Sequence, residues 1–304
     1  MRKILSMTLG LSVCFLLLQM SVVKEASAAD VKVLSDKAVS GFPFPESVGC
    51  DTAGKVLYVS QFVSAMKPAE KDGKGRISKV SLSGKVLEMN FLPAPGKTIN
   101  KPKGIWVKGN RLWVTDIDVL WTFDLETKEG RSVALRGATF ANDLAVLGNA
   151  VYVSDNRSDK LFRVEPADFL KMKDDPKVTT VFSGKSINPN GVYPAADGSL
   201  LMVGFMSPEQ ARGIYAMVPG KDPKALAEGI GLLDGLYQMK NGDLLITDWN
   251  AGALISWSAT TGVHKLAEGF EGPADLCAMP NDKGLLVVVA DLVKSELRFI
   301  QLGQ

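Results

Sequence analysis

Short apolar strands recur in pairs along this chain, and every pair opens in the same way. A small or turn residue and a polar residue lead into the first strand, a turn follows, and the second strand ends on a polar or small residue. The first three copies are Pro45-Glu46-Ser47-Val48 with Leu57-Tyr58-Val59-Ser60, Pro102-Lys103-Gly104-Ile105 with Leu112-Trp113-Val114-Thr115-Asp116, and Ala141-Asn142-Asp143-Leu144 with Val151-Tyr152-Val153-Ser154-Asp155. The next three are Pro189-Asn190-Gly191-Val192 with Leu200-Leu201-Met202-Val203, Leu233-Asp234-Gly235-Leu236 with Leu244-Leu245-Ile246-Thr247-Asp248, and Ala274-Asp275-Leu276 with Leu286-Val287-Val288-Val289-Ala290-Asp291.

The polar residue stands at 46, 103, 142, 190, 234 and 275, so the repeat is 39 to 57 residues long. Repeats of that size build propeller blades or long helical arrays. Alternating strands rich in Val, Ile, Tyr and Trp, and turns such as Lys240-Asn241-Gly242-Asp243, exclude helices. Two further strand-like runs follow each pair, as in Arg76–Val80 with Val86–Met89 and Ala253–Trp257 with Val263–Leu266. The pattern predicts an all-β fold, a six-bladed propeller with four-stranded blades. The last copy is one strand short, and Val31–Leu34 precedes the first unpaired, so the N-terminal strand is expected to close the last blade and hide an edge.

In a propeller the first strand of each blade lines the axis. The six polar residues should then ring one mouth of the channel as Glu46, Lys103, Asn142, Asn190, Asp234 and Asp275, with Phe62, Phe205 and Trp249 near that face. Two carboxylates and two amides converging from different blades are hard oxygen donors, which suit calcium better than zinc or copper. The alternative is a wet channel whose polar lining holds water. The aspartates that end the second strands, Asp116, Asp155, Asp248 and Asp291, read as scaffold that caps loop backbone. The long segment 61–75 is a lid or a solvated loop, and 166–176 reads as a short helical insertion.

Composition adds the compartment. Arg2 and Lys3, an apolar run from Ile4 to Val23 and Ala26-Ser27-Ala28 before Ala29 form a signal peptide over residues 1–29, leaving 30–304 as one propeller domain. Removal of the segment is expected rather than its retention as an anchor, and the protein is then exported, periplasmic or secreted. Three basic residues and one acidic residue leave with it, so 32 of each remain. With no net charge and no basic tract interleaved with aromatics, neither nucleic acid nor, after cleavage, a membrane is an expected partner; a small molecule is.

At these residues the sequence resembles the superfamily of gluconolactonase, regucalcin (senescence marker protein, SMP-30) and luciferin-regenerating enzyme (LRE), over about residues 40 to 300. The likeness lies in Glu46 within Pro-Glu-Ser-Val, Asn142-Asp143, Asn190 within Pro-Asn-Gly-Val and Asp234 within Leu-Asp-Gly-Leu, in the family's blade order. It implies a divalent metal, most simply calcium, held by Glu46, Asn142, Asn190 and Asp234, and hydrolysis of a lactone or related ester with Asp234 as the catalytic carboxylate. The other reading is a non-catalytic propeller that binds a small ligand or a protein at the same face. Phe140 replaces the substrate-gripping arginine of the sugar-lactone hydrolases, and Lys103 and Asp275 add charge where the family is small or uncharged. With Phe205 and Trp249, these make an apolar or amphipathic ligand as plausible as a sugar. A pairing of Lys103 with Asp275 would cancel their charge. His264, the only histidine, falls on an outer strand, which argues against a Ser-His-Asp triad. Cys50 and Cys277 lie on inner strands that become neighbours on closure, as a disulfide or as buried thiols.

Overall fold

A computed structural model describes residues 31–303; the signal peptide expected over residues 1–29 lies outside the described residues. Among them, 24 strands form six four-stranded antiparallel sheets arranged as a six-bladed propeller. Blade one is β2 (Pro45–Asp51), β3 (Val56–Gln61), β4 (Arg76–Ser81) and β5 (Val86–Leu92). Blade two is β6 (Pro102–Lys108), β7 (Arg111–Asp116), β8 (Val119–Asp124) and β9 (Gly130–Ala134); blade three is β10 (Ala141–Leu147), β11 (Ala150–Asp155), β12 (Lys160–Glu165) and β13 (Lys177–Ser183). Blade four is β14 (Pro189–Pro194), β15 (Leu200–Gly204), β16 (Arg212–Met217) and β17 (Lys224–Gly231); blade five is β18 (Leu233–Gln238), β19 (Leu244–Asp248), β20 (Ala253–Ser258) and β21 (Gly262–Glu268).

Blade six joins the two ends of the domain. β22 (Pro273–Asn281), β23 (Gly284–Asp291) and β24 (Glu296–Gly303) are completed by β1 (Lys32–Ser40), which pairs antiparallel with β24 as its outermost strand. The closure expected from the unpaired N-terminal run is therefore present. A second tie crosses the same seam: Cys50 on β2 and Cys277 on β22 form a disulfide, with Cα atoms 5.8 Å apart and 227 residues between them in sequence.

The core is divided among the blade interfaces. One cluster joins blades one and two through Tyr58, Ile77, Ile105 and Val114, another joins blades two and three through Trp113, Leu120, Leu144 and Phe162, and so on around the ring. Alternation along each strand explains this, because successive side chains enter opposite faces of a blade and both faces are covered by neighbours. The helical insertion expected at 166–176 is instead a run of turns. Its carbonyls are taken by blade two: Trp113 Nε1 donates to Ala167 (2.9 Å) and Arg131 to Phe169 (3.1 Å), while the Phe169 side chain is wholly buried.

Candidate functional site at the channel

Each inner strand carries a β-bulge at the same place. In blade two, Pro102 faces Asp116 and the next pair is Ile105 with Val114, so three residue steps oppose two; equivalent shifts follow Pro45, Ala141, Pro189, Leu233 and Pro273. A bulge redirects the extra residue, and six in register let two consecutive positions per blade turn toward the axis. Hydroxyls on the second strands hold this arrangement. Ser154 Oγ accepts from Asp143 N (3.0 Å) and donates to the carbonyl of Asn190 in the next blade (2.5 Å); Thr247 likewise links Gly235 N (2.7 Å) to the Ala274 carbonyl (2.6 Å).

The register defines two polar layers. The first position after the shared Pro, Ala or Leu holds Glu46, Lys103, Asn142, Asn190, Asp234 and Ala274. The second holds Ser47, Gly104, Asp143, Gly191, Gly235 and Asp275. Asp275 therefore belongs one layer deeper than the ring position expected for it, beside Ser47, whose hydroxyl it accepts at 2.5 Å, and in the layer of Asp143. The proline opening three other inner strands was the available signal: Pro273 aligns with Pro45, Pro102 and Pro189, which puts Ala274 in the ring. Glycines at the second position are required sterically, since a Cβ on Gly104 would lie 2.4 Å from Asp143 Oδ1 and one on Gly191 only 2.1 Å from the Asp234 carbonyl oxygen.

The structure brings Glu46, Asn142, Asn190 and Asp234 to one level, all no more than 8% exposed. The Asn142 amide donates to Asn190 Oδ1, while Glu46 Oε2 is buried without a hydrogen-bond partner. Burial and the neighbouring Asp234 push Glu46 well above the usual carboxylate range, with Lys103 pulling the other way. Burial and Asp275 push Asp234 up to about 8, and burial raises Asp275 to about 6. Asp143 is raised by burial and Asp275, although its oxygens accept from Leu144 N and Val192 N, both at 2.7 Å. These four carboxylates crowd a buried space with too few positive charges.

Lys103 is the ammonium within that space, and it makes no ion pair with Asp275. Its Nζ donates to the Lys101 carbonyl (3.2 Å) and lies 4.4 Å from the Phe140 ring centroid and 5.6 Å from that of Phe62. Burial lowers it to about 8, with Glu46 the largest opposing influence. Arg157 covers the Phe140 ring at 3.8 Å, so a guanidinium stands at this mouth. No repeat position pointed to Arg157, which sits in the turn after β11.

The rest of the mouth is apolar. Phe62, Ala274 and Leu292 form a buried cluster with Phe44 and Trp249, and Trp249 meets Phe205 edge-on at 6.1 Å. Segment 61–75 is tied to blade two: the buried Lys101 Nζ pairs with Asp72 (2.7 Å) and Ser64 Oγ (2.8 Å), and Gly73 N donates to Asn100 Oδ1 (3.1 Å). Burial alone would raise Asp72, but hydrogen bonds from Lys101 and Ser64 hold it at about 2. The strand-end aspartates are scaffold. Asp116 accepts Asn100 N and Lys101 N (2.8 Å each), Asp155 accepts Phe140 N (2.9 Å), Asp291 accepts Glu271 N and Gly272 N (3.0 Å each), and Asp248 accepts Asn250 N (3.1 Å). His264 lies on β21, the outermost strand of blade five.

No family model matches the chain, and no curated protein sequence matches it. Its fold is shared with solved propellers. A gluconolactonase from Xanthomonas campestris is 15% identical over 91% of this chain and 92% of its own, with a TM-score of 0.64. A streptogramin B lyase is 15% identical over 88% and 98%, at 0.57. A catalytically inactive histidine-to-alanine variant of virginiamycin B lyase from Staphylococcus aureus, solved with quinupristin, is 13% identical over 88% and 99%, at 0.56. The six-bladed architecture expected from the gluconolactonase resemblance is thus the one found.

Proposed function

We propose that the protein is an exported, calcium-dependent hydrolase of a lactone or related ester, working at the polar ring. The observation that carries this reading is Glu46 Oε2, a buried carboxylate oxygen with no partner, in a layer whose other donors are Asn142, Asn190 and Asp234. An unpaired buried carboxylate is costly, and a divalent cation relieves it together with the repulsion that raises Asp234. The donors are all hard oxygens, so the residues fit calcium. Bound there, the ion supplies Lewis acidity toward the ester carbonyl.

This chain's own groups do the rest. Asp234, once held as a carboxylate, takes a proton from the attacking water; the acyl carbon–oxygen bond then breaks, and the proton goes to the leaving alkoxide. Phe62, Phe205 and Trp249 favour an apolar part on the substrate, while Arg157 offers a site for an anionic group. The ring is closed by its own side chains, so a substrate must displace those stacked on Lys103, with Phe140 foremost. Lyase chemistry on the streptogramin pattern is disfavoured: the S. aureus enzyme is inactive without a histidine, whereas the histidine here stands on an outer strand.

Lys103 favours a second reading, in which its ammonium replaces the metal's charge and the face binds a ligand without turnover. Thermal unfolding of chelator-stripped protein titrated with calcium separates the two. Under the hydrolase reading the midpoint rises with calcium and the rise vanishes in Glu46→Gln. No shift at about 5 mM calcium would remove the metal and leave the binding reading.

A further inference from the structure

A cavity at the axis opens away from the polar ring, at the opposite end of the inner strands. It has a volume of about 220 Å³ and runs from Asp143 and Asp275 at its base to the exposed Thr52 at its rim. Trp106, Tyr193 and Tyr237 form one wall: Trp106 and Tyr193 have ring centroids 5.9 Å apart, and Tyr193 and Tyr237 meet edge-on at 5.3 Å. All three are half-buried, and neither tyrosine hydroxyl has a hydrogen-bond partner among the described residues.

We propose that this second mouth is a binding site for a small organic cation, a protonated alkyl- or arylalkylamine. No lysine, arginine or histidine lines the cavity, so the two acidic side chains at its base face no basic group there. Each has one oxygen accepting from the next backbone amide and the other from a neighbouring blade, Val192 N for Asp143 and Ser47 Oγ for Asp275. One or two lone pairs per oxygen remain for N–H donors. Three aromatic rings line the cavity, and aromatic rings attract an ammonium group, while an apolar collar of Val48, Ile105 and Leu236 fits a hydrocarbon part. A bare metal ion is a poorer match, because two carboxylates and two phenols do not replace six to eight oxygens of hydration. The site opens at the other end of the channel from the polar ring and does not depend on the hydrolase reading.

The probe is benzylammonium against its neutral analogue benzyl alcohol, followed by calorimetry and Trp106 fluorescence on the whole folded protein at neutral pH. Saturable binding below about 5 mM is expected, with the alcohol at least about 10-fold weaker. Asp275→Asn should remove that preference. Tyr237→Leu, which leaves every carboxylate in place, should weaken the amine by about 5-fold or more, while Glu46→Gln should leave it unchanged. Equal affinity for amine and alcohol, no saturation, or a loss in Glu46→Gln would overturn the proposal. Cooperative unfolding of each variant shows whether it is folded.

Discussion

The two ends of the channel are built from the same strands, three residues apart: Lys103 and Trp106 on β6, Asn190 and Tyr193 on β14, Asp234 and Tyr237 on β18. At the bulge, regular backbone pairing is interrupted and Lys103, Asn190 and Asp234 take ring positions, each followed by a glycine; past it, the ladder is regular and Trp106, Tyr193 and Tyr237 line the cavity. The polar end is closed, with ring residues no more than 8% exposed, whereas the aromatic end is open and holds the cavity. The bulge thus sets the chemistry as well as the geometry. It gathers acidic side chains in two adjacent layers, and the two ends meet them differently, the first with Lys103 and the second with aromatic rings.

The disulfide lies in the wall of the aromatic end and offers the largest test. Linking positions 227 residues apart restricts the unfolded chain strongly, by up to about 5 kcal/mol in the loop-entropy account. Cys50→Ser with Cys277→Ser should lower Tm by about 10 to 15 °C in thermal unfolding. A fall under about 2 °C would show that β1 on β24 closes the ring alone.

Asp234→Ala comes next and should divide the two ends. It should reduce turnover of any ester found to be a substrate by about 10³-fold. Benzylammonium affinity should stay within about twofold. Parallel loss of both in a folded variant would mean one continuous site.

The polar ring should also govern the pH dependence of stability. Asp234 at about 8 and Asp275 at about 6 lie above the ordinary carboxylate value of 3.8, so the folded state retains protons that the unfolded chain has released. Their contribution therefore declines as pH rises from about 4 toward 8. Asp72, held at about 2, acts in the opposite sense, and its contribution fades below about pH 4. In chelator the Tm should fall by several degrees between about pH 5 and pH 8, and calcium should flatten that slope. A chelated protein more stable at the higher pH would show that the ring carboxylates are ionised without a cation.

The propeller and most of the ring were legible because a repeat compares each blade with five others, so Glu46, Asn142, Asn190 and Asp234 could be placed by position. Asp275 stands one residue beyond the ring because the proline that aligns Pro273 with Pro45 and Pro189, and not polarity, marks the register of this strand. The aromatic mouth is not legible in the sequence for a different reason. Only blades two, four and five carry an aromatic there, against Gly49, Ala145 and Cys277 in the others, so no repeat marks it. Arg157 and the Lys101–Asp72 pair lie in loops whose course depends on contacts between blades, which local pattern does not carry.

Lys103 gives the smallest effect and the finest distinction between the ends. Its ammonium is wholly buried and lowered to about 8, so solvation lost on folding is only partly offset by Glu46 and the Phe140 and Phe62 rings. Lys103→Met keeps the unbranched stem against both rings and removes the charge, so relief of the buried ammonium and loss of Glu46's counter-charge oppose each other in the net stability. The carboxylates then lose their nearest counter-charge, and a divalent cation loses the repulsion. Calcium should bind about 10-fold more tightly, read from the concentration at which the unfolding midpoint begins to rise, while benzylammonium binding at the other mouth stays unchanged. Unaltered calcium affinity would place the ion away from Lys103. A weaker one would mean that the lysine orders Glu46 for the metal, and that the ring depends on a positive charge of its own.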